Sequence, residues 1–213
     1  MPTMRRVAKP EGFGNIVVEE VPVPSIGPRE VLIQSRVSLI SRGSEILRRY
    51  MHEEAIDARI MGYSVAGVVV QTGLEAASRF VMGDAVAAVL PHAEYVVGDM
   101  DAMEGSQVWP MPPSLTFEQT SFLPLCTGAV TWAGVSEITP GDTVVVMGQG
   151  LVGNLVLQAV RAYQPGWVVA VDALPSRLAI SSAVGADVTI NVSEEDPVAR
   201  VKELTGGYGA QVV

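Results

Sequence analysis

The stretch that most constrains this chain is Val144-Val145-Val146-Met147-Gly148-Gln149-Gly150-Leu151-Val152-Gly153. Val144 to Met147 is a continuous apolar, mostly β-branched run, as expected of a strand buried on both faces of a parallel sheet. Pro140-Gly141-Asp142 just before it is a turn. After the glycines the period changes. Val152, Leu155, Val156, Ala159, Val160 and Tyr163 fall on one side of a helix, and Asn154, Gln158 and Arg161 take the other. The segment therefore reads as strand, Gly-x-Gly-x-x-Gly turn and amphipathic helix.

A second strand, Trp167 to Val171, ends at Asp172, nineteen residues beyond Gly153. A dinucleotide-binding βαβ unit places at that position the acid that accepts from the adenosine ribose. Each glycine then has a mechanical task. Gly148 makes the tight turn, Gly150 lets the backbone approach a pyrophosphate, and Gly153 lets helix and strand pack closely. The pyrophosphate would rest on free N–H groups at the helix N-terminus, those of Leu151, Val152 and Gly153, where the dipole favours negative charge. A carboxylate at Asp172 repels a ribose 2′-phosphate, and the first cation after it is Arg177. NAD is therefore expected in preference to NADP, with Asp172 and Arg177 as the ribose-side residues.

Composition narrows the classes. Apolar residues make up 48% and charged residues 17% of the 213, which indicates a folded chain with a sizeable core. A net charge of −9 leaves no basic face for nucleic acid or an anionic membrane. No apolar run reaches the length of a membrane span, and Met1-Pro2-Thr3-Met4-Arg5-Arg6-Val7 lacks the apolar centre of a signal peptide. The single cysteine, Cys126, precludes an internal disulfide framework and agrees with a reducing, cytoplasmic setting.

Ahead of the glycine turn, the chain reads as short strands in series: Asn15–Val21, Glu30–Val37, Ala66–Gln71, Asp84–Val89 and Glu94–Val97, with one short helix over Ser44–Met51. These suggest a small barrel or partly open β-domain. Trp109-Pro110-Met111-Pro112-Pro113 reads as an extended connector, followed by mostly helical sequence to about Ser136 with Gly128 as an interruption. Beyond Asp172 come a helix over Pro175–Val184, a strand over Asp187–Asn191, a helix over Pro197–Leu204 and the start of a fourth strand at Ala210. The expected organisation is a β-domain over residues 1–130 followed by an α/β nucleotide-binding domain over 131–213.

With these residues in hand, the whole chain resembles the medium-chain dehydrogenase/reductase superfamily, the zinc-type alcohol dehydrogenase group and its zinc-free relatives. The resemblance rests on Gly27-Pro28-Arg29-Glu30-Val31-Leu32-Ile33, Gly62-Tyr63-Ser64-Val65-Ala66-Gly67-Val68-Val69, Val81-Met82-Gly83-Asp84-Ala85-Val86, the glycine turn, and Asp172 through Gly185-Ala186-Asp187. It implies a chaperonin-10-like β-domain followed by a doubly wound, Rossmann-type domain, and a small-molecule substrate. Three strands and the start of a fourth stand where the family has a six-stranded sheet. The chain therefore reads as C-terminally incomplete, and a homodimer is expected of a full-length form.

The zinc ligands of the family do not carry over. Ile40-Ser41-Arg42-Gly43-Ser44-Glu45 puts Ser41 where the first thiolate would be, and Gly62-Tyr63-Ser64 replaces the Gly-His-Glu segment. Cys126 alone cannot hold a zinc that needs three protein ligands. The expectation is a zinc-free branch without a metal site, in which the resemblance offers Ser44 and Tyr63 as proton donors. His52 and His92, the two histidines, read as surface or structural residues. The leading function is an NAD(P)-dependent oxidoreductase moving a hydride between nicotinamide and a small alcohol, ketone or activated alkene. The alternative is a truncated, catalytically inactive nucleotide-binding or assembly module.

Overall fold

A computed structural model describes residues 2–103 and 105–213. The chain divides between Pro124 and Leu125 into two compact units.

In the first unit, β1 (Thr3–Ala8) and β2 (Val17–Pro22) form an antiparallel pair running from Thr3 opposite Pro22 to Ala8 opposite Val17. β3 (Glu30–Ser38), β4 (Val65–Thr72), β5 (Ala85–Ala88), β6 (Tyr95–Asp99) and β7 (Val108–Pro110) make a sheet of order β6-β3-β4-β5-β7. Every neighbouring pair in it is antiparallel. The β3–β4 register shifts twice, between Leu32 and Ile33 and between Ser35 and Val37. Gly67 sits beside the second shift, where a Cβ would lie 2.3 Å from the Gln34 carbonyl oxygen, so the two backbones approach as closely as they do only because that residue is glycine. Val31, Ile33, Val65, Val69, Phe80, Val86, Val96 and Val108 form the core of the unit. Trp109 and Pro110 belong to β7 and not to an extended connector. Proline is tolerated there because β7 is an edge strand, with a free side that needs no N–H.

Between β3 and β4 runs a nine-residue π-type helix, Arg42–Tyr50, where a short helix was expected over Ser44–Met51. α1 (Phe117–Thr120) closes the unit and begins with a reciprocal capping box between Thr116 and Gln119. α2 (Leu123–Val135) contains Gly128 without a break, so that glycine does not interrupt the helix.

The second unit alternates β8 (Thr143–Met147), α3 (Leu151–Val160), β9 (Trp167–Asp172), α4 (Pro175–Ala183), β10 (Val188–Asn191) and α5 (Pro197–Leu204). The three strands are parallel, in the order β10-β9-β8. Val212 forms a parallel bridge to Val144 on the other side of β8, at the start of the expected fourth strand. Successive side chains of a strand point to opposite faces. Val144, Val146, Val168 and Ala170 accordingly pack with Leu157, Val160 and Leu178. Val145, Val169, Val171 and Ile190 pack with Val201. Covering both faces explains the unbroken apolar runs. Each fully buried valine contributes roughly 1.5 kcal/mol or more. Among the described residues no helix is long and apolar enough to cross a membrane.

Candidate functional site

In the second unit the glycine turn joins β8 to α3. Gly148 has φ +81°, a conformation that other residues rarely adopt, and its N–H donates to the Val171 carbonyl at 2.7 Å. Gly150 is the N-cap of α3, and a Cβ built on either Gly148 or Gly150 would meet open space. The outer side of the turn is therefore clear for a ligand. On the inner side, a Cβ on Gly153 would lie 1.8 Å from the Gly148 carbonyl oxygen, so the first turn of α3 sits directly on the glycine turn. Leu151, Val152 and Gly153 supply the N–H groups of that first turn, and the first helical bond recorded there is Asn154 N–H to the Gly150 carbonyl.

Asp172 ends β9, and only 7% of it is exposed. Its Oδ2 accepts from Gln149 N–H at 2.6 Å and its Oδ1 from Leu174 N–H at 2.8 Å, while Arg177 Nη1 stands 3.4 Å from Oδ2. Burial pushes this carboxyl up, but the two N–H donors and the Arg177 guanidinium outweigh it and hold the group below its ordinary value. Asp172 thus binds the turn to the end of β9, and Arg177 balances its charge. Gln149, not singled out by sequence, is a buried latch. Its Nε2 donates to the Val146 carbonyl at 2.6 Å and its Oε1 accepts from Ser181 Oγ at 2.9 Å. The structure brings Gly148, Gly150, Leu151, Val152, Gly153, Asp172 and Arg177 to the C-terminal ends of adjacent parallel strands, where open α/β sheets bind ligands. These residues fit a dinucleotide, because the turn has a glycine-lined open side and helical N–H groups beside an acid.

In the first unit, the expected proton donors lie on two different segments. Ser44 is part-buried in the Arg42–Tyr50 helix, and its hydroxyl makes no hydrogen bond among the described residues. Tyr63 lines an open cavity of which Ser44 is not a wall, and its ring lies 5.9 Å beneath the Arg49 guanidinium. The same helix carries a buried cluster that sequence reasoning missed. Glu45, fully buried, accepts from Ser41 N–H at 2.8 Å through Oε1, and from the Tyr50 hydroxyl at 2.6 Å and His92 Nε2 at 2.7 Å through Oε2. An ionised carboxylate only accepts, so His92 carries its proton on Nε2, and His92 Nδ1 is buried without a partner among the described residues. Burial pushes Glu45 up, yet the hydrogen bonds from His92, Ser41 and Tyr50 prevail and hold it below its ordinary value. The Tyr50 phenol is raised, first by burial and then by its bond to Glu45. Gly62 completes the packing: its φ is +110°, and a Cβ there would lie 2.7 Å from the His92 ring. His92 is thus a structural residue, and His52 is a partly exposed one facing Glu54 at 3.7 Å.

The residues that replace the family's zinc ligands do not suit zinc. Ser41 and Tyr63 offer neutral oxygens in place of a thiolate and an imidazole. Cys126 is half-buried, and burial pushes its thiol up, away from the thiolate that binds metal. Among the described residues, no group of three or more His, Cys, Asp or Glu side chains is placed to hold a metal ion.

Comparison with known proteins agrees with the glycine-turn geometry. A family model described as zinc-binding dehydrogenase matches residues 152–213. L-threonine 3-dehydrogenase of Symbiobacterium thermophilum is 29% identical over 241 residues, covering 99% of this chain and 68% of that protein. Sorbitol dehydrogenase of Bacillus subtilis is 25% identical, with 100% and 68% covered. Among solved structures, 2R,3R-butanediol dehydrogenase from Bacillus subtilis superposes with a TM-score of 0.80 at 22% identity, covering 95% of this chain and 67% of that one. A quinone oxidoreductase from Pseudomonas syringae pv. Tomato gives 0.75 at 25% identity, with 97% and 64% covered. The chain thus spans about two thirds of the length of these relatives. Taken with the strand–glycine–helix unit, these matches support an alcohol dehydrogenase-like oxidoreductase of the medium-chain dehydrogenase/reductase superfamily.

Proposed function

We propose that the chain carries a zinc-independent, NAD(P)-dependent oxidoreductase that moves a hydride between nicotinamide and a small alcohol, ketone or activated alkene. In this reading residues 1–130 form a chaperonin-10-like domain and residues 131–213 a Rossmann-type domain. The observation that carries it is the glycine turn, open outside Gly148 and Gly150 and closed on Gly153, with Asp172 tied to its backbone. When bound, the nicotinamide supplies or takes up the hydride. The protein's own part is to seat the pyrophosphate on the N–H groups of Leu151, Val152 and Gly153 and to set the ribose against Asp172. NAD is favoured by the Asp172 charge, although Arg177, 3.4 Å away, offsets part of it.

Ser44 and Tyr63 are the groups we assign to proton transfer. The Ser44 hydroxyl is uncommitted among the described residues. Tyr63 lines the open cavity of the first unit, with its ring under the Arg49 guanidinium. A homodimer and a cytoplasmic setting complete the proposal. Fluorescence titration with NADH, followed by turnover assays on alcohols and ketones with Ser44→Ala and Tyr63→Phe, tests it. Saturable NADH binding and a loss of turnover in at least one variant are expected. Absence of NADH binding overturns the cofactor reading, and unchanged turnover in both variants overturns the donor assignments.

A further inference from the structure

We propose that the cavity of the first unit binds an amphipathic carboxylate, with Arg49 as its anion anchor, so that the substrate is a hydroxy or oxo acid with an apolar body. Calling the ligand a substrate rests on the hydride-transfer reading above, through Tyr63, whereas the binding site itself does not.

The cavity measures about 860 Å³, near the upper end of what small-molecule sites occupy. Much of its wall is apolar, from Met4, Val21, Pro22, Leu90, Pro91 and Val97. Among the described residues, Arg6, Arg49 and Arg59 also line it, against one acidic residue, Glu30. Most of these charges are already matched. Arg6 pairs with Glu19 at 2.7 Å, Arg59 pairs with Asp57 at 2.5 Å, and Glu30 accepts from Gly27 N–H at 2.6 Å.

Arg49 is different. It is part-buried, and among the described residues it has no carboxylate partner. Its Nη1 donates to the Ile60 carbonyl, and its guanidinium plane lies over the Tyr63 ring. A guanidinium has five N–H donors in a fixed fork, and the Ile60 contact uses only one side of it. In a chain of net charge −9, a half-buried arginine without a counter-ion among the described residues marks a position where an anion is missing. A fork of this shape is matched by a carboxylate through two parallel hydrogen bonds, and the apolar walls take a hydrocarbon body of matching size.

The test is calorimetric titration of the intact chain with ω-hydroxyoctanoate and with octanol, which share a body and differ in the charged end. The acid is expected to bind at least tenfold more tightly at low salt, with the preference shrinking as salt rises. Arg49→Gln should abolish the preference and leave octanol affinity unchanged, while Arg49→Lys should keep part of it. Equal binding of the two probes by the unaltered chain, or a preference that survives in Arg49→Gln, overturns the proposal. Should Arg49→Gln fail to fold, the salt dependence and Arg49→Lys decide instead. NADH titration in parallel separates the two readings. NADH binding without the acid preference defeats this inference alone, and acid preference without NADH binding defeats the hydride-transfer reading alone.

Discussion

His92 Nε2 lies 2.7 Å from Glu45 Oε2, a contact between buried side chains 47 positions apart in sequence. With the Tyr50 hydroxyl and Ser41 N–H, three donors converge on one carboxylate. The arrangement holds both ends of the Arg42–Tyr50 helix, and with it the placement of Ser44 and Arg49.

Glu45→Gln removes one of the two acceptor oxygens and puts an NH₂ donor against another donor. A loss of about 2–3 kcal/mol in unfolding free energy is expected, read by urea denaturation at neutral pH. Glu45→Ala should cost more, since it leaves His92, Tyr50 and Ser41 all unpaired.

The same carboxylate gives a pH dependence. Glu45 and Asp172 both have folded pKa values below their ordinary ones, so the unfolded chain binds more protons than the folded one in that range. Their contribution to stability is complete above the unfolded carboxylate values, about 4. It falls away as pH drops through the lower folded values. Melting temperatures measured from pH 6 down to pH 3 should decline steeply at the acid end, and the decline should be shallower in Glu45→Gln.

Gly153→Ala should weaken NADH binding at least tenfold, because its Cβ would meet the Gly148 carbonyl at 1.8 Å and the backbone of the turn must move. Gly43→Ala is the control. It lies in a helix with open space around the added carbon, and it should stabilise the protein by roughly 0.5 kcal/mol while leaving NADH affinity alone.

Asp172→Asn should shift cofactor preference toward NADPH, since the amide still accepts from Gln149 N–H but no longer repels a 2′-phosphate. Arg177→Ala should shift it the other way. Paired titrations with NADH and NADPH on each variant measure both directions.

Much of the second unit was readable from residue pattern alone. Val144 to Met147 and Trp167 to Val171 are apolar on both faces because helices cover both faces, and the helices begin and end at the expected glycines and prolines. The first unit was less legible. β1 escaped notice because Arg5 and Arg6 interrupt its apolar pattern; their guanidinium groups are matched by Glu94 and Glu19, which lie far away in sequence. β7 was hidden by Pro110, which only its edge position excuses. The Glu45–His92 contact and the uncompensated Arg49 have no local signature, because both depend on which distant residues the fold places beside them. Gln149 was not singled out, because its partners Val146 and Ser181 cannot be inferred from spacing.

That latch bears on how a cofactor would be received. With Gln149 fixed between β8 and α4, and Asp172 gripping its backbone, the glycine turn is held in shape by the protein's own bonds. The conformational entropy of ordering it is lost during folding and not at the encounter with a ligand. Pre-organisation of this kind leaves more of the contact energy available as affinity. It also implies single-step association kinetics, with a rate that rises linearly with nucleotide concentration and shows no plateau from a preceding loop rearrangement.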